Sequence, residues 1–119
     1  IVSRAEAIAA KTGGSVSVAS NPTTAIADAD VVTTDTWISM GQESAKEQRI
    51  QDFAGYTIDS DLMKHAASDA IFLHCLPAFR GYEVAADVID GPQSVIWDEA
   101  ENRLHAQKAL MVWLARNSG

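Results

Sequence analysis

Four places in the chain bring together side chains able to hold charge, donate hydrogen bonds or attack carbon. They are Asn21-Pro22; Asp35-Thr36-Trp37-Ile38-Ser39-Met40-Gly41; His74-Cys75-Leu76-Pro77; and Asp98-Glu99-Ala100-Glu101-Asn102-Arg103. Asp35 could hold an ammonium group, Cys75 could serve as a soft base or nucleophile, and Arg103 could hold an anion. Each also has a plainer reading. Asp35 could cap the turn that follows it, and Ser39, three residues before Gln42, could be half of a capping box. Cys75 at the end of an apolar run could be a small buried hydrophobe, and His74, which alternates with it, a packed histidine. A cation in the first turn of a helix opposes the helix dipole, so Arg103 hints at an anion shared with the free N–H groups there. Glu99 and Glu101 satisfy that dipole, and His65 and His105 read as surface residues.

The elements that would position these groups alternate. Residues 3–12 read as a helix opened by a Ser3-x-x-Glu6 box and closed by Gly13-Gly14. A strand follows at 15–19, a short turn of helix from Pro22 to Asp28, and a strand at 31–34 whose β-branched run suggests burial on both faces. A helix at 42–54, a short helix capped at Asp59 or Ser60, a strand at 70–75 stopped by Pro77, a weak helix at 83–89, a strand at 94–97 and a long helix at 99–116 complete the pattern. The apolar run 109–115 reads as buried all round. Such alternation predicts an α/β fold, a parallel sheet flanked by helices. In open sheets of this kind ligands bind beyond the carboxyl ends of the strands, where the four clusters lie.

Composition narrows the partners. Nine basic against 16 acidic residues give a net charge of −7 over 119 residues. The charge is spread evenly, with 8 acids and 4 bases in the first sixty residues and 8 and 5 in the rest, so no basic stripe awaits a nucleic acid or an anionic membrane surface. The longest apolar run, 109–115, is far shorter than the roughly 20 residues that span a bilayer. One cysteine excludes an internal disulfide, and a soluble cytoplasmic protein is expected. No metal cluster, Walker loop or G-x-G-x-x-G is present, so no cofactor is expected. The chain opens at Ile1 without an initiator Met or a leading strand, which suggests a piece of a larger protein.

The three segments 35–41, 74–80 and 99–103, in this order and spacing, resemble the ornithine carbamoyltransferases over essentially the whole chain. The aspartate branch carries Pro where Cys75 stands and lacks the Ser39-Met40-Gly41 loop. The resemblance implies a Rossmann-like parallel sheet, incomplete at its N-terminal end, within the ornithine-binding domain, with the carbamoyl-phosphate domain absent. It implies transfer of the carbamoyl group of carbamoyl phosphate to the δ-amine of L-ornithine, giving citrulline and phosphate, by direct attack without metal or cofactor. Asp35, Ser39 and Met40 would grip ornithine's α-amino and carboxylate end. Cys75 would lie against the δ-amine and the carbamoyl unit, the Leu76 carbonyl would bind the carbamoyl amide, and Arg103 would hold carbamoyl phosphate. A homotrimer, or a multiple of one, is implied too. The stretch 78–84 departs from the family pattern. Two other functions fit the same residues: a carbamoyltransferase for putrescine or an acylated ornithine, and a non-catalytic amino-acid-binding module.

Overall fold

Two short parallel strands, β1 (Val31–Thr34) and β2 (Ile71–His74), form the centre, paired in register from Val31 opposite Ile71 to Thr34 opposite His74. This computed structural model describes residues 1–38, 41 and 43–118. A third extended segment runs along the far side of β2: Phe72 N–H donates to the Gln93 carbonyl, Val95 N–H donates to the Phe72 carbonyl, and Ser94 makes a parallel bridge to Phe72. β2 is thus central, and the outer edge of β1 is unpaired among the described residues.

Helices α2 (Pro22–Ile26), α4 (Ser60–Met63) and α5 (Ala86–Ile89) cover one face of the sheet. Their ends form where local chemistry favours them. Asn21 caps α2 by accepting from Thr23 N–H, with Pro22 at the first helical position; Asp59 caps α4 by accepting from Leu62 N–H at 2.8 Å. The core beneath them comprises Ile26, Val32, Met63, Phe72, Val84, Val88, Ile89 and Ile96. Gly91 closes α5 so tightly that a Cβ there would sit 2.3 Å from the Asp87 carbonyl oxygen. Gly91→Ala in the full-length protein is therefore expected to cost about 1–3 kcal/mol, seen as a lowered Tm. An unchanged Tm would mean that the α5 backbone yields freely.

Helix α1 (Val2–Thr12), the turn Glu43–Ala45 with α3 (Lys46–Asp52), and α6 (Ile96–Asn117) complete the described elements. The α/β class and the strands at 31–34 and 71–74 agree with the sequence pattern, and five expectations need correction. Residues 15–19 form no strand and are exposed: the alternation of Val16 and Val18 is real, but no neighbouring strand accepts their hydrogen bonds. Residues 94–97 are not a strand either, since after Ser94 the chain turns and α6 starts at Ile96. β1 is buried on one face only, with Val32 inside while Val31 is 49% exposed. The run 109–115 is exposed, with Met111 64% and Trp113 60% accessible. Finally, α1 begins at Val2, so Ser3 lies inside the helix and caps nothing.

Three of these departures, at 15–19, β1 and 109–115, share a cause. The radius of gyration is 17.2 Å, against about 13.5 Å for a compact domain of this length. Neither α1 nor the last five turns of α6 buries a residue. Apolar patterns that call for a covering surface are present in the sequence, and among the described residues nothing covers them.

Candidate functional site

The register of the sheet builds the site. Because Thr34 pairs with His74, the residues that follow, Asp35 and Cys75, emerge side by side at the carboxyl ends of β1 and β2. The Cys75 thiol donates to Asp35 Oδ1 at 3.2 Å, and the same oxygen accepts Thr36 N–H at 2.7 Å. Both donors hold the Asp35 carboxyl below its ordinary value, the thiol being the larger influence. The reverse holds for Cys75. Its hydrogen bond to Asp35 pushes the thiol up, and partial burial, the Asp35 charge and the Glu99 charge push the same way. Cys75 is exposed, not a packed hydrophobe, and these influences favour its thiol form over the thiolate.

His74 faces the other way and is fully buried, as alternation along the strand requires. Its Nδ1 accepts Leu76 N–H at 2.9 Å, which draws the chain into a turn with Leu76 at φ 58° and a cis peptide bond to Pro77. Residues 78–84 fold back under this turn, so the helix expected at 83–89 starts only at Ala86. Glu83 and Val84 are wholly buried, and Glu83 accepts from Phe79 N–H. Arg80 is held away in a bidentate pair with Asp90, at 2.8 and 2.7 Å.

The segment after Asp35 is held by aromatic stacking. Trp37 is buried between Phe53, at 5.5 Å between ring centroids, and Tyr82, at 6.4 Å, and its carbonyl accepts from Arg49 Nη1 at 2.8 Å. This stack joins α3, the Asp35 segment and the loop below Cys75. A groove of about 590 Å³ runs along the free edge of β1 as far as Asp35, with Val32, Thr34, Trp37, Phe53 and Tyr56 in its walls. Gly41 takes φ 84°, a left-handed conformation that glycine adopts without a Cβ clash. Ser39 and Met40, the other expected ornithine contacts, lie outside the described residues, as does Gln42.

Arg103 requires a revised argument. With α6 starting at Ile96 it stands two turns inside the helix, away from the free N–H groups, so the helix end gives no reason for its position. Its link to the site is through Glu99, whose charge reaches Cys75: Arg103 is one turn further on the same helix face. Arg103 is exposed and enters no ion pair among the described residues.

The structure thus brings Asp35 and Cys75 into contact, places Leu76 in the adjoining turn and leaves Arg103 at the margin. Sequence reasoning missed Glu83 and the Trp37 stack. A lone acid at the start of a weak helix and three aromatic residues far apart in sequence carry no periodic signal, since only the tertiary fold makes them neighbours. Among the described residues no helix is long and apolar enough to cross a membrane, and no group of three or more His, Cys, Asp or Glu could hold a metal ion.

Comparison with known proteins bears on the same residues. Residues 1–114 match the aspartate/ornithine carbamoyltransferase family, Asp/Orn binding domain. An ornithine carbamoyltransferase of Clavibacter sepedonicus is 64% identical over 118 residues, 99% of this chain and 38% of that protein. The ornithine carbamoyltransferase structure from Pyrococcus furiosus superposes with a TM-score of 0.85 at 54% identity, over 92% of this chain and 35% of that one. A mutant N-acetyl-L-ornithine transcarbamylase, complexed with carbamyl phosphate and N-succinyl-L-norvaline, matches at 36% identity and a TM-score of 0.73, over 88% of this chain and 32% of that one. The chain spans well under half the length of these proteins. By the match of residues 1–114 and by these identities, the chain belongs to the aspartate/ornithine carbamoyltransferase family, within the Asp/Orn-binding domain.

Proposed function

We propose that the chain is the C-terminal part of the ornithine-binding domain of an ornithine carbamoyltransferase, and that the carbamoyl-phosphate domain lies outside it. The observation that carries the reading is the contact between Asp35 and Cys75 at the ends of adjacent parallel strands. A carboxylate held in its charged form suits the α-ammonium of an amino acid, and a sulfur 3.2 Å away suits its second, reacting amine. Hydrogen bonds of about 3 Å on either side of that pair leave room for the carbon chain joining ornithine's two nitrogens. Identities of 64% and 54% to the ornithine carbamoyltransferases of Clavibacter sepedonicus and Pyrococcus furiosus, against 36% to the N-acetylornithine enzyme, favour the free amino acid over its acylated form.

The chemistry follows from charge. An alkylammonium like that of Lys has a pKa of about 10.4 and must lose a proton before its nitrogen can attack. The Cys75 S–H already donates its hydrogen bond to Asp35, so the sulfur serves as an acceptor for one remaining N–H and aims the nitrogen lone pair at the carbamoyl carbon. The C–N bond forms, the C–O bond to phosphate breaks, and phosphate leaves with that electron pair. The extra proton on nitrogen passes to a phosphate oxygen, giving citrulline and hydrogen phosphate. The Leu76 carbonyl accepts from the carbamoyl amide and Arg103 neutralises the leaving phosphate. Ser39 and Met40 close over the amino-acid end, with Gly41 as a pivot. We place the enzyme in the cytoplasm, in arginine metabolism, as a homotrimer or a multiple of one.

Citrulline formation tests this. The full-length protein is expected to turn over ornithine and carbamoyl phosphate, whereas the 119-residue chain alone lacks a phosphate-binding domain and is expected to be inactive. Turnover by the chain alone near the full-length rate, or none by the full-length protein, would overturn the proposal.

A further inference from the structure

Among the described residues the most buried polar side chains, His74 and Glu83, touch no candidate substrate position. His74 and Glu83 are both fully inaccessible, with His74 Nε2 3.3 Å from Glu83 Oε1. His74 Nδ1 accepts Leu76 N–H, and a ring nitrogen that accepts carries no proton. The ring proton is therefore on Nε2 and is donated to Glu83, which also accepts Phe79 N–H. Glu83 Oε2 is buried with no hydrogen-bond partner among the described residues. An unpaired buried carboxylate oxygen is costly, and an apolar side chain would fill the space more cheaply. The cost marks a residue kept for what its other oxygen holds.

That oxygen orients the imidazole, and the imidazole holds Leu76 N–H. Leu76 sits at φ 58°, a region that side chains with a Cβ seldom adopt, between the cysteine that meets Asp35 and the carbonyl assigned to the carbamoyl amide. Resting on the proposed carbamoyl transfer, we infer that Glu83 and His74 are positioning residues for it: Glu83 fixes the ring as its Nε2–H tautomer, and Nδ1 then fixes the Leu76 turn that presents the Cys75 sulfur and the Leu76 carbonyl. Neither residue touches substrate.

Two amides separate the links in the full-length protein. In His74→Asn the side-chain oxygen takes the place of Nδ1 and still accepts from Leu76; in His74→Gln the amide reaches toward Glu83 but leaves Leu76 N–H unbound. His74→Gln is expected to lower kcat about 30- to 100-fold, as displaced reacting groups do, with the KM for ornithine within about threefold, while His74→Asn keeps kcat within about fivefold of the parent. Glu83→Ala should cost about tenfold in the parent and little in the His74→Asn background, where its target is gone. Equal losses for Asn and Gln at position 74, a rise in KM at constant kcat, or the same Glu83→Ala factor in both backgrounds would overturn the inference. Nitrogen-15 NMR of the full-length parent gives a readout independent of catalysis: His74 should carry its proton on Nε2, and an Nδ1–H tautomer would refute the scheme. If the parent forms no citrulline, the proposed function fails, while the tautomer still decides whether the relay exists.

Discussion

Cys75→Ala in the full-length enzyme is expected to lower kcat by about 10²-fold or more, with a smaller change in the KM for carbamoyl phosphate. The sulfur is exposed at the end of β2 and bonded to Asp35, so its removal leaves the reacting amine without a partner on that side. Cys75→Ser should recover part of the loss, since an oxygen also accepts from the amine but from a shorter reach. The pH dependence separates two roles for the thiol. Asp35 accepts the thiol's hydrogen bond and adds a negative charge beside it, so Cys75 ionises only above its ordinary 9.0. The rise of kcat with pH then reports loss of the substrate ammonium proton, and its midpoint should be the same in Cys75→Ala as in the parent. If a Cys75 thiolate were the base, that limb would move or vanish. Alkylation gives the same sign: Asp35→Asn removes the charge that holds the thiol up, so its thiolate fraction at pH 8 grows and iodoacetamide should react several-fold faster. An unchanged rate would mean that Asp35 does not control the sulfur.

How far the sequence reached depended on whether a signal was local. Asn21, Pro22 and Asp59 mark helix starts because a cap needs only a side chain and an N–H two or three residues on, and all three stand where expected. β1 and β2 were legible from their β-branched and apolar runs, and their carboxyl ends located Asp35 and Cys75. The contact between those two residues was not legible, because it depends on the register of Thr34 with His74. The signals at 15–19 and 109–115 were sound as patterns and wrong as outcomes. Alternating valines make a strand only beside another strand, and an apolar helix is buried only against something. Arg103 illustrates a boundary error with a functional consequence. Starting α6 three residues early removes the dipole argument, and the case for the residue passes to its alignment with Glu99. Glu83 shows the opposite limit: its meaning comes from a histidine nine residues earlier across a reversed chain, which no local pattern encodes.

Selectivity between amines places the second large effect on Asp35. With ornithine, the carboxylate meets an α-ammonium that it alone neutralises among the residues assigned to the site, and removing one partner of such a charged hydrogen bond costs about 2–5 kcal/mol. Asp35→Ala should therefore lower kcat/KM for ornithine by about 10²- to 10³-fold. Putrescine keeps a second ammonium where ornithine has its α-ammonium, whereas an acylated ornithine has none. Putrescine should therefore lose about as much as ornithine, while for the acylated substrate the substitution removes only the bond to Cys75 and the acceptor for Thr36 N–H, so its kcat/KM should fall by about tenfold or less. The lost thiol contact acts equally on every amine and cancels in the ratio, which makes the ratio between substrates the decisive quantity. A parent that prefers ornithine to its acylated form, with a preference that collapses in Asp35→Ala, identifies the carboxylate as the counter-charge. Equal losses for ornithine and its acylated form would instead assign Asp35 to the sulfur alone, and recognition of the amino-acid end would then rest on Ser39 and Met40.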